Sequence, residues 1–411
     1  MDDVKGPYDV IVIGAGPSGS VSATILADHG YRVLILERSH FPRFSIGESL
    51  LPQSMEYLQQ AGLLQTVVEA GFQYKNGAAF CRGDEYESFD FREKFSDGWG
   101  TTYQVQRSHF DKILVDSAQQ RGVEVRYGQE VTAVEQGADE IAVRVQPDEG
   151  ESYRVAARFL LDGSGFGRVL PRLLGLEKAS RLGERVAVFT HVQDRIQKEG
   201  FDRNKILIAV HPQHSEVWYW LIPFSDGRAS VGVVLPREMY DESDTDKMSL
   251  LRRFIQEGAM VNEVLANAVF DTPARVLDGY SCNVTKLHGE RFALLGNAAE
   301  FLDPVFSSGV TIALKSATLG AAAAHRQLQG QEPDWQKEFV EPLQVGIETF
   351  RTFVEGWYDG RFQDVIFAND KSAAVKSMIS SILAGYAWDT KNPYVREPAR
   401  LTTLAELCRP S

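Results

Sequence analysis

Residues 8–13 read YDVIVI and residues 33–37 read VLILE, two nearly continuous apolar runs rich in β-branched side chains. Runs without polar alternation predict strands buried on both faces of a parallel sheet. The segment joining them, GAGPSGSVSATILADHG, opens with glycines and a proline and continues with small helix-compatible residues. Tyr8 to Arg38 therefore predicts strand, glycine turn, helix, strand. A helix opened by Arg107, then a strand and a return strand, is predicted over Gln104 to Val134, with Val131 at a strand end. Further along, KILIAVHPQ, EVWYWLIPF and RASVGVVLP alternate with period two, as half-buried strands of an antiparallel sheet do. In WYWLIP (218–223) that alternation puts Trp218, Trp220 and Ile222 on one face, Tyr219 and Leu221 on the other. From Pro333 onward the pattern is helical and rich in aromatic residues. Neither an internal repeat nor a low-complexity linker is visible.

Composition adds exclusions. The 411 residues are 44% hydrophobic and 24% charged, ordinary for a globular chain with room for two layers and a second lobe. No run approaches the ~18 apolar residues of a membrane span. The acidic lead-in MDDVKG lacks the basic and apolar regions of a secretion signal. Three cysteines, Cys81, Cys282 and Cys408, share no ligand spacing, which predicts a reduced cytoplasmic protein without a metal site. A net charge of −13 argues against nucleic acid and anionic membranes as partners.

Gly14, Gly16 and Gly19 form G-x-G-x-x-G between the first strand and its helix. The first glycine permits the bend, the second the approach of a pyrophosphate, the third close helix–strand packing. Phosphate then meets free amides at the helix start, near Ser18. Glu37 ends the second strand at the distance of an acid that grips an adenosine ribose, with Arg38 beside it. The chain holds no second such fingerprint for a nicotinamide.

ARFLLDGSGFGRV (157–169) and FALLGNAAEFLDPVFSSGV (292–310) resemble the two later flavin-binding segments of flavin hydroxylases. The resemblance implies FAD and an α/β fold: a Rossmann-type FAD-binding domain of the flavin-hydroxylase kind, an inserted antiparallel-sheet substrate domain and a helical C-terminal lobe. The expected boundaries are 1–75, 100–180 and 286–332 for the discontinuous FAD-binding domain, 76–99 and 181–285 for the sheet domain, and 333–411 for the lobe. It implies cofactor contacts from Asp162, Gly163, Gly296, Asn297, Pro304, Gly309 and Val310. Where most relatives have Gly-Asp, this chain has Gly296-Asn297, an amide that still accepts from and donates to a hydroxyl. It places Val131 near the adenine and Arg107 on the cofactor, although an arginine at a helix start is equally an exposed ion-pair former.

Four stretches narrow the resemblance: FPRFSIGESLLP (41–52), YKNGAAF (74–80), WYWLIP as W-x-W-x-I-P, and FLDPVFSSGV (301–310) as F-x-x-P-x-x-S-x-G. Together they resemble flavin-dependent halogenases, closest to those acting on pyrrole or phenol rings, often held on a carrier protein. The resemblance implies FADH2 and O2 oxidising a halide, chloride or bromide, to hypohalous acid at the flavin. Gly47, Glu48 and Ser49 then lie near the isoalloxazine. Ser308 and Gly309, at a helix start, offer amides to the halide; the same amides serve equally to support the flavin ring. Lys75 matches the family's catalytic lysine, and burial would lower its pKa and raise its neutral fraction. An exposed strand lysine is the other reading. Trp218 and Trp220 would wall the flavin from the substrate, or form plain sheet core. Phe306 stands where halogenases of free tryptophan carry a glutamate, so the substrate implied is intrinsically nucleophilic. Phe301, Val305 and Phe306 line its pocket or belong to the core. The expected partners are an acyl or peptidyl carrier protein bearing a pyrrolyl group and a separate flavin reductase. The alternatives are a flavin hydroxylase or prenyl reductase of the same fold, and a catalytically silent flavin-binding scaffold.

Overall fold

The computed structural model describes residues 8–240, 246–368 and 371–408; the acidic lead-in, residues 1–7, lies outside them. Two seven-stranded sheets organise the chain. In the first, Tyr8–Ile13 lies between Val33–Glu37 and Tyr153–Asp162, parallel to both, and Glu124–Tyr127 extends the parallel side. The ten-residue strand Tyr153–Asp162 serves two neighbourhoods. Its end pairs in parallel with Phe292–Leu294, and its start runs antiparallel to Ile141–Pro147, which in turn pairs with Gln129–Gln136. Val131 is therefore the third residue of a strand rather than its end. It sits at a register shift between Val131 and Ala133, with its side chain in the core.

The glycine turn is compelled by contact. Gly14 has φ +90°, and a Cβ on Gly19 would stand 1.9 Å from the Gly14 carbonyl oxygen. Pro17 opens the helix Pro17–Asp28, where its missing N–H costs nothing.

The second sheet runs Arg275–Asp278, Arg185–Gln193, Arg228–Pro236, Trp218–Pro223, Lys205–Val210, Gly77–Arg82, Glu85–Asp90. Every pairing is antiparallel except Lys205–Val210 with Gly77–Arg82. Its two faces divide as alternation requires. Phe80, Phe189, Ile206, Ile208, Trp218, Trp220 and Ile222 join the core shared with the first sheet and the C-terminal helices. Val188, Leu207, Tyr219, Leu221 and Val233 face a separate core. That second core is closed by helices Lys247–Glu257 and Ala259–Val264, inside a stretch read from sequence as strands. The helical signal is local: Asp246 accepts from Ser249 N at 3.0 Å, and Leu250, Leu251, Phe254 and Ile255 are buried at helical spacing.

Beyond the long helix Ser308–Leu328 the C-terminal region is helical, as its pattern predicts. Its helix Glu341–Tyr358 brings Trp357 to 6.0 Å from the rings of both Phe80 and Phe306. All three cysteines are free, and no group of side chains suited to a metal occurs among the described residues. No described helix is long and apolar enough to cross a membrane.

Candidate active site

A cleft of about 320 Å³ opens at the carboxyl ends of Tyr8–Ile13, Val33–Glu37 and Tyr153–Asp162, the position where open α/β sheets bind nucleotides. Gly14, Gly16 and Ser18 line one end. The helix there has no side-chain cap and no acidic residue in its first turn, so its N–H groups are left for an anion. Glu37 is held by two amides, Ala15 N and Ser39 N, each donating at 2.8 Å. Arg38 lies on the rim, its side chain 68% exposed.

Arg107 is buried on the cleft wall, with its guanidinium on both oxygens of Asp111 at 2.7 and 2.9 Å and on the Ile46 carbonyl. It is at once an ion-pair former and a wall residue. Four residues expected at the cofactor do not line the cleft, and three of them shape its wall from behind. Gly19 lets helix and turn meet. Asp162, wholly buried and with its pKa pushed up by desolvation, accepts from Ser164 N at 2.9 Å and Leu170 N at 2.7 Å, fixing the turn that carries the wall residue Gly163. Gly296 has φ +53° and passes close under the helix, where a Cβ would lie 2.8 Å from that of Ala313. Val131 is core.

The cleft is lined as well by Gly47, Glu48, Ser49, Asn297, Pro304, Gly309 and Val310. Glu48 Oε1 lies 2.7 Å from Nε2 of His191, a residue of the second sheet. Ser307 holds a left-handed conformation, φ 56°, before the helix that starts at Ser308 without a side-chain cap. Gly309 lines the cleft, whereas Ser308 is buried beside it. Trp218, Trp220 and Ile222 also line the cleft, the indole centroids 6.0 Å apart and tilted by 48°.

A second, much smaller cavity of about 10 Å³ is lined by Lys75, Phe80, Phe91, Val305, Phe306 and Leu383 among others. Lys75 is fully buried, and its Nζ donates to Ser49 Oγ at 2.7 Å and to the Leu50 carbonyl at 2.8 Å. Both partners are uncharged, and desolvation pushes its pKa down to about 7. Val305 and Phe306 thus stand with Lys75. Phe301 does not: it is on the wall of the large cleft, against the rings of Phe166 at 5.1 Å and Tyr280 at 5.6 Å.

A glycine cradle, an uncapped helix start, an amide-held acid and a wall of two indoles fit a flavin dinucleotide. A family model described as an FAD binding domain matches residues 7–335. The structure of the myxobacterial chondrochloren halogenase, an FAD-dependent halogenase, is 30% identical and superposes with a TM-score of 0.75, covering 99% of this chain and 98% of its own. The 1H-pyrrole-2-carbonyl-(peptidyl-carrier protein) chlorinase of Pseudomonas fluorescens is 29% identical over 374 residues, 86% of this chain and 82% of that protein. The chain belongs to the flavin-dependent halogenase family. It is an oxidoreductase that binds FAD. A flavoprotein/dehydrogenase from Cytophaga hutchinsonii is also close in structure, with a TM-score of 0.93 at 43% identity over 98% of this chain and 99% of that one.

Several wall residues of the halogenase escape a motif search. Arg43 reaches Asp111 at 3.1 Å and Glu37 at 3.8 Å, binding Glu37 and the Arg107 partner together. It lies inside FPRFSIGESLLP, so the signal was a charged residue next to a recognised motif. Phe44 lines the cleft from a loop and Phe166 from the 3₁₀ turn Gly165–Gly167, neither long enough to show a periodicity. Ile206 belongs to an alternating strand, but alternation gives its face and not its neighbour.

Proposed function

We propose that this halogenase oxidises chloride or bromide at the flavin and transfers the halogen to an electron-rich aromatic ring, a pyrrolyl group on a carrier protein, in a separate chamber. What carries the reading is Lys75: a fully buried amine with neutral partners, in a small cavity of its own beside the cleft. O2 supplies the oxidising equivalents and bound FADH2 would supply two electrons, and the sum balances as FADH2 + O2 + halide + H⁺ giving FAD + hypohalous acid + water. The chain's own residues do the rest. The first amides of the helix Ser308–Leu328, with Gly309 on the cleft wall, hold the halide where the helix dipole favours an anion. Trp218, Trp220 and Ile222 fill the space in which a substrate would otherwise lie against the flavin. Lys75 receives the oxidant, and the ring displaces halogen from it, releasing a proton.

The chamber beside Lys75 has room for about one water-sized species. That excludes an aromatic ring, so the ring enters only as Leu383, the lining residue from the C-terminal helices, moves aside on docking. A carrier-borne substrate supplies the binding energy for that opening. A pyrrole, nucleophilic without help, needs no carboxylate at Phe306.

The test is intact-mass analysis of a pyrrolyl-loaded carrier protein after incubation with the enzyme, FAD, a flavin reductase, O2 and each halide. Halogen mass increments on the loaded carrier support the reading. Hydroxylated product, or halogenation of free phenols with the carrier substrate untouched, would discard the substrate assignment.

A further inference from the structure

The large cleft and the Lys75 chamber share two lining residues, Ile206 and Ser307. A third residue joins them in another way. Ser49 lines the cleft, yet its Oγ accepts the Lys75 ammonium hydrogen at 2.7 Å. The backbone locks this contact. Lys75 ends the strand Gln73–Lys75, which pairs with Thr102–Gln104, and Ser49 bridges to Gln104 of that same strand. Leu50, the next residue, takes the second Lys75 hydrogen through its carbonyl. The amine is thus held by two consecutive residues, one of which faces the flavin side. One hydroxyl lies between the wall of the cleft and the buried nitrogen.

We infer that Ser49 is the transfer residue between the two chambers, an assignment that rests on the function proposed above. A serine hydroxyl accepts and donates at once. When hypohalous acid arrives between Ile206 and Ser307, the neutral Lys75 nitrogen attacks the halogen. The nitrogen–halogen bond forms as the halogen–oxygen bond breaks. The amine proton passes to Ser49 Oγ, and the Ser49 hydroxyl proton goes to the departing hydroxide, which leaves as water. No charge separates in the buried chamber, where unpaired ions are costly. Alanine at this position removes the relay. Threonine retains it.

A thiol placed here records the passage directly. Ser49→Cys, turned over once with FADH2, O2 and bromide, is expected to carry one oxygen at position 49 by peptide mass analysis, captured with a sulfenic-acid probe. The native Cys81 and Cys282 serve as internal references. Wild type runs in parallel with a diketone halogen trap in solution. Oxidation at position 49 that depends on bromide supports the inference. Oxidation equal without bromide, or a thiol that stays reduced while wild type halogenates the trap, overturns it. A wild type that never halogenates the trap overturns the underlying function instead. As a second measure, the ratio of halogenated ring to trapped hypohalous acid, which cancels any change in flavin loading, is expected to fall at least tenfold in Ser49→Ala and to stay within about threefold in Ser49→Thr. An unchanged ratio in Ser49→Ala also ends the case.

Discussion

The indole N–H of Trp218 donates to the hydroxyl of Tyr358 at 2.9 Å, tying the cleft wall to the last residue of a C-terminal helix. Tyr358 in turn donates to Asp303 at 2.8 Å, and Tyr280 donates to the same oxygen at 3.2 Å. The other carboxylate oxygen accepts from Val305 N at 3.0 Å, so Asp303 also fixes the turn that leads to Ser307. Burial pushes the Asp303 pKa up to about 6. Tyr358→Phe keeps the ring and deletes the link, leaving a buried indole N–H without its acceptor. We expect a loss of about 1–3 kcal/mol in denaturant unfolding and a fall in halogenated product per FADH2 consumed. Unchanged coupling would show that the indole keeps its place without this bond.

The second indole is seated differently. Trp220 donates to Ser230 Oγ at 3.0 Å and lies across Gly232 of the neighbouring strand, where a Cβ would stand 2.4 Å from Trp220 Cζ2. Gly232→Ala therefore forces the ring off its strand and toward the cleft. The expected result is weaker FAD binding by at least tenfold in a flavin fluorescence titration, with destabilisation of about 1–3 kcal/mol from overpacking. Wild-type FAD affinity would mean that the sheet yields instead of the ring.

Alternation made the indole wall legible, because a period of two fixes a face wherever the strand is placed. The glycine fingerprint and Glu37 were legible for the same reason: their chemistry is local. What stayed hidden needs distant partners. Nothing in WYWLIP specifies that the Trp218 N–H will meet a tyrosine 140 residues on. Phe301 shares its motif with Val305 and Phe306, yet the 3₁₀ turn Pro304–Phe306 sends it to the opposite cavity. The contact of Lys75 with Ser49 depends on a strand, Thr102–Gln104, that is only three residues long. Asp162 and Gly296 sit in recognisable flavin segments but act one layer behind the wall. A motif marks a neighbourhood, and only packing decides which of its members touch the ligand.

The C-terminal helices are also fastened by a buried ion pair, Arg351 with Glu300, side chains 8% and 5% exposed. Glu348 pairs with the same guanidinium from the surface side. Desolvation raises the Glu300 pKa even against that arginine. Arg351→Met strands a carboxylate beside the turn that carries Phe301, and we expect about 3–5 kcal/mol of destabilisation at neutral pH. Adding Glu300→Gln removes the stranded charge and should recover a large part. Additive losses in the double variant would show that the two residues do not act as a pair.

Lys75 gives the last prediction, and its sign can be worked out. Burial lowers the amine's pKa to about 7 in the folded protein, against 10.5 for an ordinary exposed lysine. Between those values the unfolded chain binds a proton that the folded chain does not, so stability rises with pH across that window. At about 1.4 kcal/mol per unit, the charged amine costs the fold about 5 kcal/mol below pH 7, and the cost vanishes above about pH 10.5. Lys75→Met carries no such charge. We therefore expect the variant to exceed wild type in unfolding free energy at pH 6 and the difference to shrink steadily toward pH 10, with other groups cancelling in the comparison. Catalysis should follow the opposite need. If the neutral amine captures the halogen, ring halogenation by wild type rises with pH through about 7, and Lys75→Met abolishes it at every pH. A rate that falls through the same range would assign the work to the ammonium form, acting as a hydrogen-bond donor to the oxidant. A stability difference that does not vary between pH 6 and 10 would mean that Lys75 reaches water, and the two-chamber reading would fail with it.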